Sequence, residues 1–378
     1  MKKYVFFIFS ICILCSAFTF FVSGESTEGA DIESVISDEY RELISSLDSS
    51  LTDKLPSSFG SSAQSDAAKV STWSFLLSML GESFTDAARS VLPSFAKMIC
   101  LISAIAILKG VTSLTDRQSS DFISFVSTLC ISCAFILSQY STVAFLTERL
   151  ADISRLAECL LPILITLYSA GGNTATASVG GAGIGVFAFS VEQIFSKLSI
   201  PFFGSMFCLV SVSSSGALKL DGFIRSLKRA YTNLITLVMS VFCAVLASQT
   251  LIAGARDSVS LRAVKFITSS SVPIVGSSVG ETLKTFAAGI GMLRKSIGSV
   301  GIVMILILTL PTVILLLLQG SALNFCASFA ETLGCSNEKA LLEGISGIYG
   351  CLTASVIVVS VMLAFILILF SVSGVAIG

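Results

Sequence analysis

The stretch VGIVMILILTLPTVILLLL, residues 300–318, decides the class of this protein. It contains no charged side chain, and only Gly301, Thr309, Pro311 and Thr312 interrupt its run of large apolar residues. A helix needs about 20 predominantly apolar residues to cross the hydrocarbon core of a bilayer, because it rises 1.5 Å per residue. A segment of this length and composition reads as a membrane helix.

Working outward, similar stretches recur at 91–108, 122–146, 231–253 and 352–375. Less clean ones lie at 156–170, 183–198 and 201–218, the last two separated only by a tight corner around Lys197 and Pro201. The expectation is an all-α fold: a polytopic helical membrane domain over 91–378, with seven or eight spans. A mean hydropathy of +0.91 lies far outside the soluble range. The 378 residues include no His, which excludes imidazole chemistry.

The N-terminus has the form of a secretory leader. Lys2 and Lys3 precede an apolar run from Tyr4 to Phe21, and Val22 and Gly24 sit at −3 and −1 of a cleavage position before Glu25. This predicts a signal peptide over 1–24; the long apolar run also fits an uncleaved anchor. Residues 25–90 then carry 12 acids and 4 bases, whereas 91–378 carry 17 bases and 12 acids. Acidic segments cross the membrane readily while Lys and Arg are retained on the cytoplasmic side, so 25–90 is expected to be extracytoplasmic.

Within that region Ile32, Val35, Ile36, Tyr40, Leu43, Ile44, Leu47 and Leu51 recur at helical spacing, ending near Pro56. A second stripe follows a Ser/Gly-rich linker and contains Trp73, Leu76, Leu77, Leu80 and Phe84. Two such helices bury too little apolar surface to fold alone. Ile36, Leu43 and Leu47 are therefore candidates for a docking stripe that a partner or the membrane surface covers, the alternative being a loosely ordered spacer.

Lys219, Arg225, Lys228 and Arg229 oppose only Asp221 in the loop at 219–230, which marks it as cytoplasmic. Counting spans from an outside N-terminus agrees with this. In the second half, basic residues at 254–298 count to the outside, and the acid-rich stretch at 320–350 counts to the inside. A crossing or a re-entrant segment within 266–291 resolves most of that conflict.

Two segments look interrupted. One runs from Pro162 into Gly171, Gly172 and a tail of small residues; the other contains Pro273, Gly276 and Glu281. Pro and Gly at membrane depth free backbone groups that protein or water must satisfy. Paired interruptions can mark an inverted repeat around a central site, whereas small residues can equally serve close helix packing. Among ionisable residues near the spans, Glu192 and Glu281 are the candidates for a transport or coupling role. Lys97, Glu158, Lys197 and Lys284 are weaker candidates: most of these residues lie close to span ends, where snorkelling satisfies them, and Glu281 and Lys284, at i and i+3, can pair on one helix face.

Of the 11 cysteines, Cys130 and Cys133 have C-x-x-C spacing but lie within a span, with no second pair and no His, so buried apolar thiols are expected rather than a metal site. There is no phosphate-binding Gly-Lys-Ser/Thr loop, no nucleophile elbow and no basic stripe of the nucleic-acid-binding kind. Neither catalytic residues nor a cofactor or metal site is expected, and nucleic acid is not an expected partner.

Taken in order, EYREL (39–43), LSMLGESF (77–84), PILITL (162–167), GNTATA (172–177), SVPIVG (271–276) and LRKSIG (293–298) make the chain resemble the stage III sporulation protein AE family over about 35–375. The resemblance implies a multi-pass protein of the mother-cell membrane surrounding the forespore. It implies a place in a secretion-like channel between the two cells, with other stage III sporulation membrane proteins and a cytoplasmic secretion-type ATPase as partners. The family supplies no catalytic residues to carry over. An autonomous secondary transporter and a purely structural scaffold are the alternatives.

Overall fold

The computed structural model describes residues 73–112, 122–123, 125–135, 182–216, 218, 220–270 and 276–372, with single helical positions between 142 and 162. The leader, the stripe Ile36, Leu43 and Leu47, and Gly171, Gly172 and Pro273 lie outside the described residues. All regular structure among the described residues is helical. The elements are α1 (Trp73–Thr112), α2 (Phe125–Phe135), α3 (Ala182–Ser214), α4 (Asp221–Ser270), α5 (Gly276–Thr332) and α6 (Ser336–Val372). Among them four stretches are long and apolar enough to cross a membrane: Ser78–Val111, Gln193–Ser214, Gly301–Thr332 and Ser336–Ile368.

The core is the α5–α6 hairpin. Ile302 to Leu308 are buried at every successive position, so α5 is covered all round over that stretch. That is what a helix without a polar face requires of its neighbours. The two helices run antiparallel and touch along their length. Ser346 Oγ donates to the Gly320 carbonyl at 2.9 Å, and Thr309 and Ser360 share a hydroxyl hydrogen bond at 2.8 Å. At the far end, a Cβ on Gly301 would meet Leu367 Cδ1 at 2.8 Å and Leu160 Cδ1 at 2.9 Å. Only Gly allows that approach without displacing both leucines. Helix α1 packs on α5, α3 packs on α6, and α4 lies against both α3 and α6.

The hairpin turns within three residues, Leu333, Gly334 and Cys335. Gly334 adopts φ +75°, its N–H donates to the Glu331 carbonyl at 3.0 Å, and the Cys335 N–H donates to Ala330 at 2.9 Å. This pair of bonds is the Schellman closure, which places its glycine where L side chains are strained. The Cys335 carbonyl then accepts the first hydrogen bond of α6, from the Lys339 N–H at 3.0 Å. One residue thus ends one helix and caps the next.

The tight corner expected around Lys197 and Pro201 is absent: α3 is continuous from Ala182 to Ser214 with Pro201 inside it. Proline removes one hydrogen bond and crowds the preceding turn, so something must hold the two halves in line. Tyr231 of α4 does so. Its ring stacks on Phe202 at 3.9 Å between centroids and meets Phe195 edge-on at 6.3 Å, gripping α3 on both sides of the proline. Ser199 Oγ also lies 3.4 Å from the Tyr231 hydroxyl.

Three contacts set which ends share a side. Lys109, near the end of α1, meets Glu338 at the start of α6. Val210 near the end of α3 lies against Gly344, and Lys228 near the start of α4 lies against Gly347. The α1 C-terminus, the α3–α4 corner and the α5–α6 corner therefore stand at one end of the bundle. The acid-rich corner carries little charge of its own, because Glu338 pairs with Lys109, and Glu331 and Glu343 both approach Lys339.

Candidate functional site

The most constrained polar group described is Glu338. As the third residue after the Cys335 cap it lies in the first turn of α6, where the helix dipole favours negative charge. Its carboxylate is fully buried. It accepts two hydrogen bonds from Lys109 Nζ of α1, at 2.6 and 2.7 Å, and one from Ser127 Oγ of α2 at 2.5 Å. A buried carboxylate without such donors would be very costly, so the three helices are held together at this point. Beside it, burial pushes the Cys335 thiol above its ordinary range, the Glu338 carboxylate adds to that, and Lys109 partly offsets it. The thiol is protonated near neutral pH and correspondingly unreactive.

Two further charge clusters are described, one of them beside this junction. Lys339 Nζ pairs with Glu331 at 2.5 Å and approaches Glu343 at 3.8 Å, which clips the exposed side of the hairpin corner. Asp152, also buried, lies between Arg149 at 3.2 Å and Arg155 at 3.4 Å. The Arg149 guanidinium stands 4.8 Å over the Phe145 ring. Above the junction, Phe135, Phe203, Phe207 and Tyr349 pack as one aromatic group, with Phe135 stacked on Phe207 at 5.6 Å.

Chemically, these arrangements hold helices together. The donors on Glu338 are a fixed ammonium and a hydroxyl, and the neighbouring thiol is protonated. Among the described residues no group of three or more His, Cys, Asp or Glu side chains could hold a metal ion. Cys130 and Cys133 are free thiols.

Several residues singled out from the sequence fall elsewhere. Pro162 is helical and exposed, and Lys97, Glu158 and Lys197 are exposed. Glu192 lies on α3; Gly276 opens α5, and Glu281 is on its second turn. The junction itself went unread in the sequence. Its members are separated by 229 residues (Lys109 to Glu338) and 211 (Ser127 to Glu338). The available signal was local: Glu338 follows Gly334-Cys335-Ser336, the pattern of a helix end passing directly into a helix start.

The family model described as Stage III sporulation protein AE matches residues 57–374. The match begins after the amphipathic stripe around Ile36 to Leu47, later than the start at about 35 read from the motifs. A curated relative, Stage III sporulation protein AE of Bacillus subtilis (strain 168), is 20% identical over 227 residues, which is 60% of this chain. The matching stretch spans 57% of that relative's length. No solved structure matches. With a family match over most of its length and helices fit to cross a membrane, this chain belongs to the Stage III sporulation protein AE family.

Proposed function

We propose that this protein is the membrane platform, or permease-like element, of a sporulation-specific channel between mother cell and forespore, required for forespore development. The observation that carries the reading is the family match across 57–374. The fold supports it physically. A hairpin buried all round over Ile302–Leu308, pinned at one end by a buried ion pair, suits a part that must keep its shape while other proteins bear on it. No enzymatic activity is assigned to the chain, and the energy for any movement of solute comes from a cytoplasmic ATPase partner. Residues 25–90 lie outside the cytoplasmic membrane, where Ile36, Leu43 and Leu47 dock onto other stage III membrane proteins. The end carrying the α3–α4 corner faces the mother-cell cytoplasm, as its basic residues favour.

Deleting the gene in its host and following sporulation by microscopy tests the proposal. Arrest after engulfment, relieved by a wild-type copy, is the expected result. Normal spores from the deletion strain would refute it. Solute movement by the protein reconstituted alone would replace the platform with an autonomous transporter.

A further inference from the structure

Arg225, Lys228 and Arg229 stand at i, i+3 and i+4 on the first turns of α4, so one side of the helix carries three cationic residues, with about 5–6 Å between the Cβ atoms of Arg225 and each of the other two. Both arginines are exposed and Lys228 is half-buried. Among the described residues no carboxylate lies within ion-pair distance of any of the three. The one nearby acid is engaged elsewhere: Asp221 accepts from Ser213 Oγ at 2.8 Å, and Arg225 Nε reaches only the Asp221 backbone carbonyl, at 3.3 Å. Lys228 extends instead over α6, where its Nζ lies 2.5 Å from the position a Cβ on Gly347 would take. The missing side chain leaves room for an ammonium group that has no anion beside it. Three like charges on one face call for a counter-anion from outside the chain.

The position of this face says which anion. It ends where the apolar run 231–253 begins; that run is not among the four long apolar stretches named above, and taking it too as membrane-embedded, as its sequence suggests, puts the face at the depth of the headgroups. Continuing along it, Thr232, Thr236 and Ser240 are exposed, but each hydroxyl donates to the carbonyl four residues back, at 2.9, 3.0 and 2.9 Å. No free donor is therefore left facing hydrocarbon. On the neighbouring face Leu237 and Val241 are exposed and offer apolar surface to acyl chains. We propose that Arg225, Lys228 and Arg229 form a binding site for the phosphate headgroup of an anionic phospholipid, its chains lying along α4. This rests on reading the apolar helices as membrane spans and is independent of the sporulation role.

The test is titration of phosphatidylglycerol and phosphatidylcholine into the full-length protein in neutral detergent, with bound lipid read by native mass spectrometry. Wild type should prefer phosphatidylglycerol. Near a membrane surface each cation is worth about fivefold in affinity for anionic lipid, so Arg225→Gln with Arg229→Gln should lose on the order of 25-fold. Gly347→Ala, which displaces the ammonium, should lose about fivefold, and Lys339→Gln, whose lysine is already paired, should change nothing. Circular dichroism melts check that the variants fold. Both arginines are exposed, so the double variant carries the test even if Gly347→Ala fails to fold. Equal retention of the two lipids, or a double variant that binds phosphatidylglycerol like wild type, would overturn the proposal. Displacement of the lipid by millimolar inorganic phosphate would reassign the site to free phosphate. Binding of a polyglutamate peptide without any lipid preference, lost in the same variants, would reassign it to an acidic protein partner; both outcomes overturn the lipid site.

Discussion

Replacing Lys109 with Met removes the ammonium that holds Glu338 while keeping the length and apolar body of the side chain. Breaking a buried pair from one side costs about 3–5 kcal/mol, because the remaining charge is left without its partner. Two features reduce that here. The Lys109 side chain keeps 16% of its exposure, and the carboxylate retains Ser127 at 2.5 Å together with a place at the α6 N-terminus. The expected loss is therefore about 2–3 kcal/mol. Glu338→Leu alone should cost a similar amount by stranding the ammonium. The double variant should recover much of either loss, because two apolar groups in place of a buried pair are close to neutral. The measurement is reversible unfolding of the purified protein in mixed micelles, followed by circular dichroism as SDS is added, through a full double-mutant cycle. A coupling below about 0.5 kcal/mol, with the two single losses simply adding, would refute the assignment of the pair as a clamp between α1 and α6.

Other expectations follow from individual contacts. Cys335 should react with maleimide at pH 8 far more slowly than in the same protein unfolded in SDS, and more slowly still in Lys109→Met, which removes the one group lowering its pKa. Because folding raises that pKa, the thiol contributes stability that is present below its ordinary value of 9.0 and lost as pH rises above it; an alkaline melting series compared with Cys335→Ala reads this. Gly344→Ala should destabilise by about 1–3 kcal/mol, since the new Cβ would clash with Val210, and Val210→Ala should restore part of it. Gly350→Ala, in open space on the same helix, should instead stabilise by about 0.5–1 kcal/mol; the two melting temperatures moving in the same direction would count against the close approach of α3 and α6. Arg225→Cys in a cysteine-free background should resist an impermeant reagent on intact cells, and labelling there would reverse the proposed orientation. Gly172→Cys paired with Gly276→Cys should cross-link with a short reagent if the two interrupted segments form one central feature; failure, with success between other helices, would leave them as ordinary packing segments.

Hydropathy was enough to place 300–318 and most of 352–375 on membrane-length helices, because an uncharged run of that length has few other outcomes. It misread α3. Lys197 and Pro201 look like a break in any local window, and what braces the continuous helix is Tyr231, thirty residues further along, in contact with both Phe195 and Phe202. The same reason hid the junction. Glu338 and Lys109 are each unremarkable at a helix end, and only the packing of α1 against the hairpin brings them to 2.6 Å. Apolar periodicity says which residues leave water but not which of the few charged ones will meet. Gly344 and Gly347 are equally plain in sequence. Their purpose appears only when Val210 and Lys228 fill the space that a side chain would have taken.

The joint at Leu333, Gly334 and Cys335 has a mechanical meaning. Because Cys335 closes α5 and opens α6, no slack residue lies between the two rods, and neither can rotate or slide without breaking the cap of the other. From Gly334 back to the Gly301–Leu367 contact the pair extends about 50 Å, at 1.5 Å per residue. A force applied at the Lys109–Glu338 end would therefore arrive at the opposite end as a displacement of the whole strut.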